Sequence, residues 1–397
     1  MSETSSGTQT AQTNQPNQAN RTAQTPADQF HRTDTYADVA NQMTAGDSPE
    51  LRALYQKFQD NNLNPLWTQT DELMPNSPQP KSQPYVWKWS VLQPLAEEAG
   101  RLVPVGRGGE RRAIGLANPG LGGAAYISPT LWAAIQQLGP HETAPEHRHS
   151  QNAFRFITGG EGVWTVVNGD PVRMSRGDFL LTPGWCFHGH HNETEHTMTW
   201  IDGLDIPFVY QMDAGFMEFG SDRVTDYATP NFSRGERLWC HPGLRPLSGL
   251  RQTVNSPIGC YRWEHTDRAL TEQLLLEDEG QPATVGPGHA GIRFVNPTTG
   301  GDVMTTVRAE FHRLRPGVRT PTRRAVGSAM FQVFDGTGEV TLQGETHKLE
   351  YGDMFVIPSW CPWSLAAETR LDLFYFSDAP IYEKLGLARE YLEEEDR

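Results

Sequence analysis

Two stretches of the sequence decide the fold: GDFLLTPGWCFH at residues 177–188 and GDMFVIPSWCPW at residues 352–363. Gly, Asp, Pro, Trp and Cys stand at the same places in both stretches, at an offset of 175 residues. Upstream, GEGVWTV at residues 160–166 is matched by GTGEVTL at residues 336–342, at an offset of 176. Each copy reads as a strand, a glycine turn, a strand, a Gly-Asp turn, a strand and a proline corner. The sequence therefore predicts a duplicated β-domain.

The rest of the chain supports an all-β fold. From residue 111 onward, short apolar runs are separated by Gly, Pro and Asn turns about every eight to twelve residues, which is typical of sandwiches and barrels. We predict the following domain organisation: a disordered tail over 1–45, an N-terminal arm over 46–99, a first barrel over 100–215, a connection over 216–284, a second barrel over 285–380 and a C-terminal helix over 381–397. Within the arm, a helix should begin after an N-cap at Ser48.

Charge and composition exclude several classes of function. The chain has 397 residues and a formal net charge of −15, which argues against nucleic acid or an anionic membrane as a partner. There is no run of apolar residues long enough to span a membrane. The four cysteines lie far apart and form no CxxC pair, so we expect reduced cysteines and a cytoplasmic protein.

Histidines are concentrated in one part of the sequence, since seven of the 13 fall between residues 141 and 196. His147 and His149 are separated by one residue, so on a β-strand both side chains point to the same face. With His188 from another strand they predict a three-histidine metal site. Imidazole suits Fe, Zn, Cu and Ni about equally, so the residue types alone leave the metal open.

These residues resemble the two motifs of the cupin barrel. The first is Gly139, His147-x-His149 and Gly162, and the second runs from Gly177 through Pro183 and His188 to Asn192. The resemblance implies a bicupin, that is, two double-stranded β-helix barrels. The glutamate that usually follows the second histidine of the motif is missing, and SQNAF at residues 150–154 stands in its place.

A narrower resemblance covers almost the whole chain after residue 45. The stretches NPLW (64–67), PYVWKW (84–89), RRAIGLANPG (111–120) and LWAAIQ (131–136) are similar to those of bicupin ring-cleaving dioxygenases acting on gentisate, salicylate and 1-hydroxy-2-naphthoate, and most similar to the gentisate enzymes. The resemblance implies Fe(II) on three histidines, O₂ and a small aromatic hydroxy acid as substrates, and a homotetramer. It also implies ring cleavage between the carboxyl- and hydroxyl-bearing carbons, which converts gentisate to maleylpyruvate.

An organic anion needs a cationic partner in this acidic protein. Arg155 has the same strand parity as His147 and His149, so an unbroken strand would carry it into the same interior, where its guanidinium could bind a carboxylate with two hydrogen bonds. The resemblance places the substrate-carboxylate arginine at this position. The structural alternative is an ion pair with Glu161 or Glu146.

A second family arginine near the substrate matches Arg111, although Arg112 beside it leaves the register open. Trp132 and Gln136 match residues that line the family's aromatic pocket; the alternative is one face of a short helix packed on the barrel.

Two further residues are candidates for catalysis. His190 shares a strand face with His188 and could accept a proton from the substrate hydroxyl. Asp202 matches a family acid that contacts the ring hydroxyl or orients this histidine, and Asp205 competes with it for that role. His191 should point to the opposite face.

The second barrel is expected to be metal-free, because Arg323, Ala325 and Trp363 stand where the first barrel has its three histidines. A different site using His312 and His347 is an open alternative. At the level of function, the alternative class is a non-catalytic bicupin that binds metal or a small molecule without turning it over.

Overall fold

The computed structural model describes residues 46–105, 112–220, 230–249 and 251–393, so the expected tail over 1–45 and Arg111 lie outside the described residues. The chain divides into two compact units, Met1–Gln79 and Pro80–Arg397. The first unit contains helix α1 (Pro49–Asp60), a 3₁₀ turn (Leu66–Thr68) and helix α2 (Thr70–Leu73). The N-cap predicted at Ser48 is confirmed, because its Oγ accepts a hydrogen bond of 3.2 Å from the backbone N–H of Leu51.

The second unit is built from strands joined by turns and a few helices. Its strands are β1 (Tyr85–Trp87), β2 (Ala113–Gly115), β3 (Trp132–Leu138), β4 (Thr143–His149), β5 (Ala153–Gly159), β6 (Glu161–Val167), β7 (Asp170–Ser175), β8 (Phe179–Thr182), β9 (His188–Asn192), β10 (Met198–Leu204), β11 (Met217–Phe219), β12 (Cys260–Tyr261), β13 (His289–Arg293), β14 (Arg308–Leu314), β15 (Arg323–Ala325), β16 (Ala329–Asp335), β17 (Gly338–Leu342), β18 (Glu345–Leu349), β19 (Met354–Ile357), β20 (Trp363–Ala367), β21 (Leu371–Ser377) and β22 (Glu390–Leu392).

Within the described residues of this unit, five α-helices lie between or after the strands. They are α3 (Trp89–Leu102), α4 (Ile206–Gln211), α5 (Arg234–Trp239), α6 (Trp263–Asp278) and α7 (Ala379–Lys384). No helix in the described residues combines the length and the apolar character needed to cross a membrane.

Each barrel consists of two facing antiparallel sheets. In the first barrel the sheet order is β12-β8-β5-β10-β3-β2 opposite β11-β4-β9-β6-β7. In the second barrel it is β1-β19-β16-β21-β14-β13 opposite β18-β17-β20-β15-β22. The prediction of a duplicated all-β fold is confirmed.

The two barrels share one hydrophobic core. Alternate residues of β5 and β21 point away from their own barrel interiors, so Phe154 and Phe156 of the first barrel meet Phe374 and Phe376 of the second. The rings of Phe156 and Phe374 are stacked with their centroids 4.1 Å apart. Stacked and edge-on aromatic pairs contribute on the order of 0.5–1.5 kcal/mol each beyond the area that they bury. The outer face of one sheet from each barrel is therefore interior to the unit as a whole.

Each barrel also receives a strand from the segment that directly precedes the other barrel in the chain, and the helix that follows this strand packs on that other barrel. Strand β1 pairs with β19 of the second barrel while α3 packs on β3 of the first. Strand β12 pairs with β8 of the first barrel while α6 packs on β13 and β14 of the second. The duplication thus extends beyond the barrels, since each carries the same strand–helix element.

The junction of this element is the same in both copies. Asp353 accepts a hydrogen bond of 2.8 Å from the backbone N–H of Trp89, the first residue of α3. Asp178 accepts one of 3.0 Å from the backbone N–H of Trp263, the first residue of α6. A carboxylate is favourable at a helix N-terminus, where backbone N–H groups lack partners within the helix. The aspartates of the two Gly-Asp turns therefore hold α6 and α3 in place.

Several predicted boundaries differ from the structure. The connection expected over 216–284 contains β11 and β12, and both are strands of the first barrel. The helix expected over 381–397 is wrong in its greater part, because α7 ends at Lys384 and Glu390–Leu392 form β22, which pairs with β15. Backbone pairing with β15 at the edge of a sheet, and not local helix propensity, decides the conformation of residues 390–392. Residues 394–397 lie outside the described part of the chain.

The close approach of glycine and tryptophan at these junctions leads to a stability prediction. Gly352 has φ of +83°, and a Cβ added there would overlap the indole ring of Trp89. Gly344 has φ of +86°, but nothing lies within 4 Å of the corresponding Cβ position. Gly344→Ala should therefore lower the free energy of unfolding by only roughly 1–2 kcal/mol, the cost of a left-handed backbone for alanine. Gly352→Ala should lower it by about 1–3 kcal/mol more, because the added methyl group overpacks against the indole ring. Thermal and denaturant unfolding measure both, and equal losses would show that the ring does not constrain position 352.

Candidate metal centre

The three histidines predicted as ligands meet inside the first barrel. His147 and His149 lie on β4 and His188 begins β9, and their candidate ligand nitrogens all fall within 4.8 Å of one another. The ring centroids of His147 and His188 are 4.4 Å apart, and those of His149 and His188 are 5.0 Å apart. Among the described residues this is the one group of three or more potential metal ligands that comes together, and it contains no carboxylate.

A bulge in β4 turns these side chains inward. Ala144 pairs with His190, but the next pair in register is His147 with His188, so β4 has one residue more than β9 between the two pairs. Ala144 belongs to the interior core of the first barrel. Strict alternation from Ala144 would send residues 146 and 148 inward, and the extra residue sends 147 and 149 instead.

Backbone carbonyl groups orient the three rings. The Nδ1 atom of His147 lies 3.3 Å from the carbonyl oxygen of Pro145, that of His149 lies 2.9 Å from Gln151, and that of His188 lies 2.9 Å from Cys186. Because a carbonyl oxygen can only accept, each Nδ1 carries the proton and each Nε2 carries the lone pair. This is the tautomer and the supporting contact found in histidine metal ligands. The donor set therefore fits a divalent transition metal bound through three Nε2 atoms.

Arg155 faces the same interior from the opposite sheet. The prediction that one unbroken strand carries His147, His149 and Arg155 is wrong. Strand β4 ends at His149, and Arg155 lies on β5 of the facing sheet. Its guanidinium is 1% exposed, and its Nη1 donates to Thr182 Oγ1. Its Nε lies 3.3 Å from Asp202 Oδ1, so Asp202 and not Glu161 or Glu146 forms its ion pair. Burial lowers the pKa of Arg155, and the Asp202 carboxylate opposes that shift.

His190 and Asp202 belong to one buried row of side chains. The Nδ1 atom of His190 lies 2.7 Å from Thr165 Oγ1, and the His190 ring packs on Trp200 at 5.5 Å between centroids. Trp200 Nε1 donates to Asp202 Oδ1 over 3.1 Å. His188 and His190 rings are 6.3 Å apart, so the row runs from the histidine group through Trp200 and Asp202 to Arg155.

Asp205 and His191 both lie outside this row. Asp205 follows the end of β10 and accepts hydrogen bonds from Asn152 at 2.9 Å and 3.2 Å, away from Arg155. His191 points to the outer face of its strand, where it contacts Thr143 and Trp164.

Trp132 and Gln136 lie on β3, so the alternative of a short helix is wrong. Both have the strand parity of Leu138, a residue of the barrel-interior core, with Ala134 between them on the same face. Gln136 is 1% exposed, and its Oε1 has no hydrogen-bond partner among the described residues. This wall can therefore offer an acceptor to a hydroxyl group.

Of the two adjacent arginines, Arg111 and Arg112, the structure describes only Arg112. Arg112 donates to Glu142 Oε1 at 2.7 Å and to the carbonyl oxygen of Gly100 at 3.0 Å. Its neighbour Ala113 pairs with Gln136, and successive residues of a strand face opposite sides. Arg112 therefore points away from the interior that holds the histidines.

The second barrel has the same backbone geometry with different side chains. Arg323 pairs with Trp363 just as His147 pairs with His188, which supports the sequence alignment of the two copies. Arg323 forms an ion pair with Glu390. His312 contacts His289 at 3.1 Å, not His347. Burial, His312 and Arg323 lower the pKa of His289 to about 3, so its imidazole is neutral.

Sequence reasoning missed Thr165, Thr182 and Trp200, which support His190, Arg155 and Asp202 respectively. Strand parity is the signal that could have found them. Trp200 precedes Asp202 by two residues on β10, and Thr182 lies on β8, the strand that pairs with the strand of Arg155. The pairing of β5 with β8 and of β6 with β9 is needed before that signal can be used.

Known proteins resemble this chain over most of its length. The cupin domain family matches residues 134–206 and 310–376. A gentisate 1,2-dioxygenase of Streptomyces sp is 59% identical over 85% of this chain and 94% of the relative. The gentisate 1,2 dioxygenase 1 of Aquipseudomonas alcaligenes is 33% identical over 86% of this chain and 96% of its own.

A solved structure gives the same result. The crystal structure of salicylate 1,2-dioxygenase from Pseudoaminobacter salicylatoxidans, an adduct with gentisate, is 74% identical and superposes with a TM-score of 0.86 over 88% of this chain and 95% of that one. The fold and the histidine group define a bicupin with one metal site among the described residues. More narrowly, the chain belongs to the family of ring-cleaving dioxygenases that includes the gentisate and salicylate 1,2-dioxygenases. This membership favours an enzyme over the non-catalytic bicupin.

We expect total bound metal near one atom per chain, because the second barrel lacks the three imidazoles. His147→Ala, His149→Ala and His188→Ala should each lower the bound metal severely, since three neutral ligands leave none to spare. His191→Ala is the matched control, because it removes an imidazole from the same strand as His188 but from the outer face, and it should keep its metal. Elemental analysis of the purified variants measures this. Two metal atoms per chain, or full metal in any of the three ligand variants, would contradict the assignment.

Proposed function

We propose that the protein is an Fe(II)-dependent dioxygenase that cleaves gentisate between its carboxyl- and hydroxyl-bearing carbons to give maleylpyruvate, with both atoms of O₂ entering the product. The observation that carries the proposal is the group of three carbonyl-oriented imidazoles without a carboxylate, facing a buried arginine across the barrel. His147, His149 and His188 would hold the iron. When bound, Fe(II) supplies a template and an electron path between an electron-rich ring and dioxygen.

Arg155 is proposed to receive the substrate carboxylate. Carrying an anion into a buried interior is costly unless it is paired, and a planar guanidinium can pair with both carboxylate oxygens. The hydrogen bond from Nη1 to Thr182 and the ion pair with Asp202 already restrain the guanidinium, so little side-chain freedom is lost when the substrate binds. The charge of Asp202 also keeps a buried arginine tolerable before the substrate arrives.

His190 is proposed to accept the proton of the substrate hydroxyl at Nε2. Thr165 Oγ1 donates its single proton to Met174 Sδ over 3.4 Å, so its oxygen accepts from His190 Nδ1. That arrangement places the His190 lone pair on Nε2. Asp202 acts through Trp200, whose ring packs on His190 and whose Nε1 donates to the carboxylate.

The remaining proposed contacts belong to the pocket wall. Trp132 offers an aromatic surface and Gln136 a carbonyl oxygen on the interior face of β3. Arg111 is proposed as a second cation near the substrate, and its neighbour Arg112 is excluded by its contacts with Glu142 and Gly100.

Salicylate is a second candidate substrate. The salicylate 1,2-dioxygenase whose structure was compared is 74% identical to this chain, against 59% for the Streptomyces gentisate enzyme. Salicylate keeps the carboxylate and the ortho-hydroxyl that the proposed contacts require. It lacks the second hydroxyl of gentisate, which a buried acceptor such as Gln136 Oε1 could bind.

The protein is also proposed to work in the cytoplasm as a homo-oligomer. All four cysteines are free thiols, as is usual in a reducing compartment. Phe216, Met217 and Phe219 are large apolar side chains that the single chain leaves exposed, which is typical of surfaces that associate. Light scattering coupled to gel filtration tests the assembly.

The substrate assignment is tested by oxygen uptake after anaerobic loading with Fe(II). We expect gentisate to consume one O₂ per molecule and to give a product heavier by two oxygen atoms. Salicylate and 1-hydroxy-2-naphthoate should have lower kcat/KM values. A higher kcat/KM with salicylate would replace gentisate by the second candidate, and O₂ uptake with none of the three would overturn the proposed function.

Arg155 variants test the capture of the carboxylate. Arg155→Ala should lower kcat/KM for gentisate about ten- to more than a hundredfold, as expected for loss of a charged hydrogen-bond partner worth roughly 1.5–3 kcal/mol. Arg155→Lys keeps the charge but loses the planar fork, so its loss should be smaller. Both variants should retain iron, because Arg155 lies on the facing sheet and is not a ligand.

The matched control is Arg313→Lys in the second barrel. Arg313 is also buried and also paired with an aspartate, Asp372, at 2.8 Å. It should therefore lose stability without losing kcat/KM. Normal kinetics in Arg155→Ala would move the carboxylate contact to Arg111.

A further inference from the structure

A hydrogen-bonded network joins the two loops that orient the metal ligands. Asn152 donates from its backbone N–H to Asp205 Oδ1 at 2.9 Å and from its side-chain Nδ2 to Asp205 Oδ2 at 3.2 Å. Its Oδ1 accepts from the backbone N–H of Gly184 at 3.1 Å. Asn152 is therefore a clamp between residues 150–152, which follow β4, and residues 183–187, which precede β9.

Both clamped loops contact the histidines directly. Gln151, adjacent to Asn152, supplies the carbonyl oxygen that accepts from His149 Nδ1. Trp185, adjacent to Gly184, donates its backbone N–H to the carbonyl oxygen of His149 over 2.7 Å, and the next residue supplies the carbonyl for His188 Nδ1. A shift of either loop would rotate a ligand ring.

The network continues into the second barrel. Thr306, which precedes β14, donates from Oγ1 to Asp205 Oδ2 and accepts from Asn152 Nδ2 at 3.1 Å. Asp205 is 1% exposed, and a buried carboxylate must be hydrogen-bonded to remain in place. The second barrel thus supplies one of the groups that satisfy this carboxylate.

The duplication contains a counterpart in which a different hydrogen bond joins the two loops, from the backbone N–H of Gly327 to Ser359 Oγ at 3.2 Å. Asp378 accepts from the backbone N–H of Ser328 at 2.7 Å, and Thr130 of the first barrel donates to its other oxygen. Ser328 stands where the first barrel has Asn152, and in that position it has no amide to reach the opposite loop. The cross-barrel threonine–aspartate contact is shared by both copies, whereas the asparagine bridge belongs to the copy with the three histidines.

We propose that Thr306, Asp205 and Asn152 are positioning residues through which the second barrel sets the geometry of His149 and His188. The inference rests on the proposed metal site. The second barrel would then contribute to the metal site, because the loops that orient the ligands depend on the hydroxyl group of Thr306, which belongs to the second barrel. Removing that hydroxyl should loosen the loops and weaken metal binding without touching any ligand.

Two threonine variants separate this role from general stability. Thr306→Val and Thr130→Val each delete one hydroxyl that bonds to a buried aspartate of the other barrel, so both should lower Tm to a similar degree. Thr306→Val alone should weaken Co(II) binding to the apoprotein about 10- to 100-fold, the effect typical of losing an outer-shell partner of a metal ligand. It should also change the intensity of the visible Co(II) ligand-field bands, which report coordination geometry.

Asn152→Ser places the residue of the second barrel in the first and removes the three side-chain hydrogen bonds, to Asp205, Thr306 and Gly184, at once. We expect it to weaken Co(II) binding at least as much as Thr306→Val while keeping the backbone contact with Asp205. Equal Co(II) affinity and equal spectra in wild type, Thr306→Val and Thr130→Val would overturn the network, as would equal weakening in the two threonine variants. Failure of the wild-type protein to bind Co(II) would instead overturn the metal site itself.

Discussion

One extra residue in β4 decides what the first barrel can do. Between its pairs with His190 and His188 this strand carries a bulge, and the bulge exchanges the two faces of everything that follows. With it, two imidazoles face the interior and Arg148 faces outward, where it stacks on Trp185 at 4.3 Å and pairs with Glu218 at 2.6 Å. Without the bulge, the carboxylate of Glu146 and the guanidinium of Arg148 would face the interior beside His188. Bulges commonly aim side chains beside functional sites, and this one converts a polar strand into a ligand strand.

The second barrel lacks counterparts of the three histidines but contributes to the first barrel in several ways. The two barrels bury their aromatic faces against each other, exchange strand–helix elements and reach into each other with threonine–aspartate hydrogen bonds. A sheet that buries both faces is stiff, and the sheet carrying Arg155 and Asp202 has the second barrel on its outer side and the site on its inner side. Because this sheet is stiff, we expect the side chain of Arg155 to keep one conformation.

The repeat, the two all-β domains and the meeting of three histidines could be predicted from the sequence, because a regular offset and a His-x-His pattern need no knowledge of pairing. The position of Arg155 could not, since a turn at residues 150–152 breaks the parity count and sends it to the other sheet. The strand exchange was also missed, although WKW at residues 87–89 and YRW at residues 261–263 carry a faint trace of it. What a single sequence conceals here is which strands become neighbours, and long-range pairing is set by the whole fold.

The pairing of β1 with β19 has a consequence for how the chain is made. Tyr85 is hydrogen-bonded in register with Val356, so the first strand of this unit has no partner until nearly all of the unit has left the ribosome. At about 5–20 residues per second that interval is on the order of 10–50 s. Throughout it the nascent chain carries an unpaired edge segment with two tryptophans, Trp87 and Trp89, whose eventual partners have not been synthesised.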